Sequence, residues 1–407
     1  MKIRSITYFC NPGWPLDDSK LEQAGKFLAE AQTAYQDSGY EVQTTRLATL
    51  PFLQILGADN IAETPRLAEQ LSAAIQSAGI LYAALGPAQP EVLDSFAVIP
   101  EAIAAAQNIF FSGIMADARF GISIPAVQAC AEVITRCGPI THDGFANLRF
   151  AALANVKPGS PFFPAAYAGQ AEPMFSIGTE AADLAVKAFI DARTVSDGQQ
   201  ALICEIEKHA RELALVGDEL ARRFSIEFGG IDFSLAPFPS EAASIGAAME
   251  RMGVPRAGLH GSLAAAAILT EIIERARFPR AGFSGLMLPV LEDAVLARRA
   301  AGGTLTVKDL LLYSAVCGTG LDTVPIPGDT TATQIAALLL DLSALALRLN
   351  KPLTARLMPI PGKKASDPTD FNFDYFSNSR IMALEAQALK PPLSETLLFQ
   401  LSSRHLS

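Results

Sequence analysis

At 407 residues, half of them hydrophobic and 18% charged, the chain has the composition of a folded globular protein rather than a disordered one. Its net charge of −10, from 32 Lys and Arg against 42 Asp and Glu, repels a polyphosphate backbone and argues against nucleic acid as a partner. No stretch has the ~18 uninterrupted apolar residues of a membrane span; the most apolar one, 336–349, carries Asp341 and Arg348.

Apolar alternation predicts a strand at 2–9, followed by a helix capped near Asp17 or Asp18 and stopped at Gly39. A strand at 42–47 and a helix at 65–78 follow. Strands at 80–84, 109–114 and 148–153 then alternate with helices at 100–107 and 123–136. This rhythm predicts an α/β fold built from parallel βα units. Over 197–223, Leu202, Ile206, Ala210, Leu213 and Leu220 recur at helical spacing, with His209 beside the stripe as a solvated or core-edge residue. Beyond residue 224 the joints become rich in Gly, Pro and acids, at 231–240, 256–262, 285–293, 317–331 and 356–364. Helices are expected between them at 240–252, 262–276, 306–316 and 331–348. The polar, less periodic section 365–407 is expected at the periphery of a single 1–407 domain.

The first nine residues are too short in apolar character for a signal peptide. Cys10, Cys130, Cys137, Cys204 and Cys317 form no CxxC pair, which predicts reduced thiols and a cytoplasmic protein. Nucleotide signatures are missing: there is no GxxxxGK[ST], and Gly318 and Gly320 lead to Thr323 where a dinucleotide fingerprint needs a third glycine.

The candidate chemistry therefore lies at the Gly/Pro joints. Asp322 follows Gly320 and Leu321, and Asp329 and Thr330 stand before the helix at 331–348, where either one suits an N-cap. The other reading of that helix start is a binding point for a substrate anion, which an acidic cap would weaken. Arg356, Lys363 and Lys364 flank a Pro-Gly turn and could neutralise a substrate carboxylate or simply be solvated. His260 lies between Gly258 and Gly261, where backbone can approach a ligand closely; the alternative is an exposed loop histidine. Asp232, Glu292 and Asp293 add carboxylates able to act as a base or to ligate a divalent cation, though their spacing is not metal-specific. Cys317 ends an apolar run and either packs or, as an accessible thiolate, attacks a substrate.

At these joints the sequence resembles the domain-of-unknown-function 711 family. The resemblance is carried by the opening MKIRSIT.F, FSIEFGGIDFSLAPFPS, GFSGLMLPVLED, CGTGLDTVPIPGDTT and RLMPIPGKK, and covers nearly the whole chain. It implies a ten-stranded α/β barrel similar to pyruvate formate-lyase, with the site among interior loops. Glycyl radical enzymes keep a radical glycine near the C-terminus, whereas the last glycine here is Gly362, and Cys317 has no cysteine neighbour. The resemblance thus implies the fold without radical chemistry. His260 stands where the family pattern has proline, and Tyr167 where it has histidine, which suggests altered specificity.

These readings combine into a cytoplasmic, homo-oligomeric enzyme acting on a small polar, carboxylated metabolite. Asp322, Asp329, Cys317 and His260 are its catalytic candidates; Arg356, Lys363, Thr330 and Asp232 would bind substrate; Glu292 and Asp293 would hold any divalent metal. The alternative is a non-catalytic metabolite sensor or scaffold, since the family resemblance also implies a small amino-acid-binding regulatory partner. In either case neither nucleic acid nor membrane is an expected partner.

Overall fold

A computed structural model describes residues 1–404. Its strands in chain order are β1 (Lys2–Cys10), β2 (Thr45–Pro51), β3 (Tyr82–Gly86), β4 (Ile109–Asp117), β5 (Gly121–Ser123), β6 (Phe150–Ala154), β7 (Met174–Glu180), β8 (Glu227–Asp232), β9 (Gly320–Pro327), β10 (Leu353–Ile360) and β11 (Leu398–Phe399). Nine of them form a continuous path, β8-β7-β1-β2-β3-β4-β6-β10-β9, with β5 and β11 attached beside β4. The path is parallel except at two seams, where β1 meets β7 and β6 meets β10 antiparallel. The expected α/β class is thus a large, mostly parallel sheet with helices. Beyond the two ends of the path, the chain at 285–290 makes parallel bridges on both sides, Leu286 with Leu235 and Pro289 with Asp322.

The helices form where the sequence has both a cap and an apolar stripe. Asp17 accepts hydrogen bonds from the amides of Ser19 and Lys20, and helix Asp18–Asp37 then buries Leu21, Phe27, Leu28 and Tyr35 against the sheet. Helix Val195–Phe224 starts with a capping box of Thr194 and Asp197 and buries Leu202, Ile206, Ala210, Leu213 and Leu220. His209 lies at the edge of that stripe, with its Nδ1 2.8 Å from the Tyr40 hydroxyl.

Several joints fold differently from expectation. Residues 320–327 and 356–360, read as parts of joints, lie in strands β9 and β10. Their prolines hide them, because a proline donates nothing to a ladder. Pro325 and Pro327 are accommodated because β9 beyond Asp322 pairs with β10 alone. Thr331, not Asp329 or Thr330, caps the following helix, in a capping box with Gln334. The helix expected at 240–252 shortens to Ile245–Arg251, capped by Ser244. The C-terminal section comes further inward than its polarity suggests: Phe371, Phe376 and Ile381 are buried against Met358 and Ile360 of β10.

Candidate functional site

Strands at and next to the two seams bring charged side chains together. β1 carries an irregularity at Arg4, between the pairs Ile3 with Thr179 and Ser5 with Gly178. β9 carries another at Asp322 and Thr323, between the pairs Ala355 with Leu321 and Leu357 with Val324, and Thr323 there has a φ of +42°. An extra residue in a strand bends it and re-aims its side chain. Here the two irregularities turn Arg4 and Asp322 toward each other's neighbourhood.

The result is a buried network. Arg356 donates from Nε to Asp322 Oδ1 at 2.6 Å and from Nη2 to Glu292 Oε1 at 2.8 Å. Arg4 takes the other oxygen of Glu292 and reaches Glu180 Oε2 at 3.3 Å, which also accepts from Gln43 at 2.9 Å. Burial pushes the Glu292 carboxyl up, but the two guanidinium groups outweigh it and hold the group below its usual 4.5. At Asp322 burial wins over Arg356, with Glu292 adding to the upward push, because Asp322 has only one guanidinium and shares it. Arg4 and Arg356 are both raised: burial lowers them, and the carboxylates more than compensate.

A cavity of about 230 Å³ adjoins this network. Arg4, Arg356, Glu292 and Asp232 line it, and so does Arg46 of β2, near enough to Arg4 and Glu292 to feel their charges. Arg46 differs from the rest. Its Nε donates to Thr44 Oγ1 at 2.8 Å and its guanidinium stacks over Phe163 at 4.9 Å. Among the described residues no hydrogen bond or ion pair reaches its two terminal nitrogens. Burial, then Arg4, push it down to about 9, so it stays charged at neutral pH at some cost. Arg149, also on the wall and also without a carboxylate, donates instead to the carbonyls of Ile103 and Ala106 at the C-terminal end of helix Ile99–Ala105.

The sequence candidates fall into three groups. Arg356, Asp322 and Glu292 come together in the network, and Asp232 stands in the cavity wall. Asp232 is committed there, accepting from Ser234 Oγ and from the amides of Phe283 and Ser284; burial raises it against those bonds. Asp329, Thr330, Lys363, His260 and Cys317 line none of this cavity. Asp329 and His260 are exposed, Thr330 donates to the Pro327 carbonyl, Lys363 pairs with Asp370 at 3.6 Å, and Cys317 is fully buried. Glu292 and Asp293, adjacent in sequence, have separate partners, since Asp293 accepts from Ser244 Oγ and four backbone amides. Among the described residues no group of three or more His, Cys, Asp or Glu is arranged to hold a metal ion.

Arg4 and Arg46 were not among the sequence candidates, nor were Phe373 and Tyr375, which the C-terminal section adds to the cavity. The available signal was a lone charge inside an otherwise apolar strand, as in KIRSITYFC and TRLATLP. Such a charge must be paired or face a cavity.

The Glu292 shift sets a pH dependence. A carboxyl lowered on folding contributes stability above its unfolded value and loses it as pH falls through the folded one. The stability difference between wild type and Glu292→Gln, measured by urea denaturation, is therefore expected to shrink as the pH drops below about 4.5. A difference constant from pH 7 to 3 would contradict the two-arginine clamp.

The family model described as Uncharacterised ACR (DUF711) matches residues 1–377. A UPF0210 protein of Methanopyrus kandleri is 32% identical over 376 residues, 85% of this chain and 81% of its own. A UPF0210 protein of Neisseria meningitidis is 29% identical over 87% of this chain and 82% of its own. One from Ruminiclostridium cellulolyticum is 28% identical over 91% and 88%. None of these names states an activity. Among the described residues no helix is long and apolar enough to cross a membrane.

Proposed function

Because the chain belongs to the DUF711 family, whose relatives' names leave the chemistry open, we propose from the site itself that it is an enzyme acting without radicals on a small carboxylated metabolite in the sheet's interior. The observation that carries this is Arg46: a half-buried, forked cation at a cavity wall whose terminal nitrogens have no partner among the described residues. A bidentate carboxylate supplies the missing charge and both acceptors. Cys317, buried and with no cysteine beside it in the chain, gives the non-radical reading further support.

The reading takes the architecture as the ten-stranded barrel of the pyruvate formate-lyase type. What supports it is the count and the seams. The nine-strand path and the doubly bridged 285–290 segment make ten members, five parallel on each side of the two antiparallel seams. It also takes the protein as cytoplasmic and homo-oligomeric.

One observation favours a second reading, a non-catalytic metabolite sensor or scaffold with a small amino-acid-binding regulatory partner. Glu292 and Asp232 accept hydrogen bonds at both carboxylate oxygens, so either would have to weaken one to move a proton. The test is calorimetric titration with a panel of small carboxylic acids, followed by NMR of the mixture over hours. Saturable binding that weakens tenfold or more in Arg46→Gln is expected. Depletion of the acid identifies the enzyme, and binding without product identifies the sensor. Unchanged affinity in Arg46→Gln would end the carboxylate reading.

A further inference from the structure

Resting on that carboxylate reading, the geometry points to a narrower ligand class: a monocarboxylate whose body is an aromatic ring or a similarly flat apolar group. The cavity has two aromatic walls. On one, Phe163 beneath the Arg46 guanidinium meets Phe110 edge-on at 5.3 Å, and Phe110 meets Tyr82 at 5.6 Å. On the other, Phe145 meets Phe373 edge-on at 5.0 Å, and Phe373 lies 5.3 Å from Tyr375. These rings come from strands β3 and β4, from the turn before β6, from the segment between β6 and β7 and from the C-terminal section, yet they converge on one space. A further aromatic ring entering this space would meet ring edges and faces, an arrangement that aromatic pairs favour.

Most of the charged groups lining the cavity, in contrast, are paired with one another. Arg4 and Arg356 are neutralised by Glu180, Glu292 and Asp322, Gln43 is turned to Glu180, and Ser234 to Asp232. Arg149 donates from Nη1 to two helix-end carbonyls. A second carboxylate would find Arg149 already held through Nη1 by the helix end, and would otherwise meet Glu292. One forked cation and two aromatic walls fit one carboxylate on one apolar body.

The test needs no variant. Wild-type protein is titrated calorimetrically with benzoate, phenylacetate and 3-phenylpropionate, with succinate, and with the uncharged phenylacetamide. At least one aryl carboxylate is expected to saturate a single site, with phenylacetamide tenfold or more weaker and succinate weaker still. Succinate binding as well as or better than the aryl acids overturns the aromatic assignment and leaves the carboxylate site standing. Phenylacetamide binding as tightly as phenylacetate, or no saturable binding of any acid, overturns both.

Discussion

Arg356→Met is expected to destabilise the protein by about 3–5 kcal/mol, read as a lowered midpoint in urea denaturation at neutral pH. Arg356 is one-twentieth exposed, and its guanidinium lies between Glu292, shielded to the same degree, and Asp322, shielded further. Methionine fills much of the same volume, so little of the loss is a cavity. What remains is two carboxylates in low dielectric, one with Arg4 and one with no cation in hydrogen-bond range. Removing one partner of a buried pair costs far more than removing the set. The triple change Arg356→Met, Glu292→Gln, Asp322→Asn is therefore expected to recover a large part of the loss, by more than the sum of the separate effects would allow. If the triple variant is less stable than Arg356→Met alone, the network is not held together by charge compensation.

The same network marks the boundary of what the residues alone disclose. Asp322, Glu292 and Arg356 stand out in sequence because a charge in a Gly/Pro-rich joint invites a reason, and these three converge. Arg4 and Arg46 lie within strands whose periodicity is read as core, and periodicity counts apolar positions rather than asking where the exception goes. The convergence itself depends on the irregularities in β1 and β9, each one residue of register, and on a Thr323 backbone in the left-handed region that threonine seldom adopts. No local propensity encodes that. Helix Val195–Phe224, by contrast, was legible nearly to the residue, since its stripe is long and its cap sits at its start. β9 and β10 were obscured by prolines, and the inward turn of Phe371, Phe373 and Phe376 by the polar residues between them.

Asp293 shows how a carboxylate that resembles a metal ligand in sequence can be structural, and Asp293→Ala is expected to cost roughly 3–5 kcal/mol. Its Oδ1 accepts from Ser244 Oγ, Val295 and Leu296, and its Oδ2 from Ile245 and Gly246. It thus caps two helices at once, its own (Ala294–Ala301) and the neighbouring Ile245–Arg251, with no exposure to water. Both helix starts concentrate unpaired amides and a positive dipole end, which is why an ionised acid tolerates this burial. Burial raises its carboxyl on balance, against the pull of Ser244 Oγ and the amides of Leu296, Gly246 and Ile245. Alanine leaves all five donors without partners in a space that water does not reach. Asparagine keeps an acceptor at one oxygen position but brings an amide donor against another amide, so Asp293→Asn should lose roughly half as much. Asp329→Ala, on the exposed turn before Thr331, serves as the control and should shift stability by less than about 0.5 kcal/mol. Denaturation in the presence and absence of magnesium or manganese separates the roles. A capping residue gives the same loss in both, whereas a wild-type stability that rises with either ion and a variant's that does not would return Asp293 to metal binding.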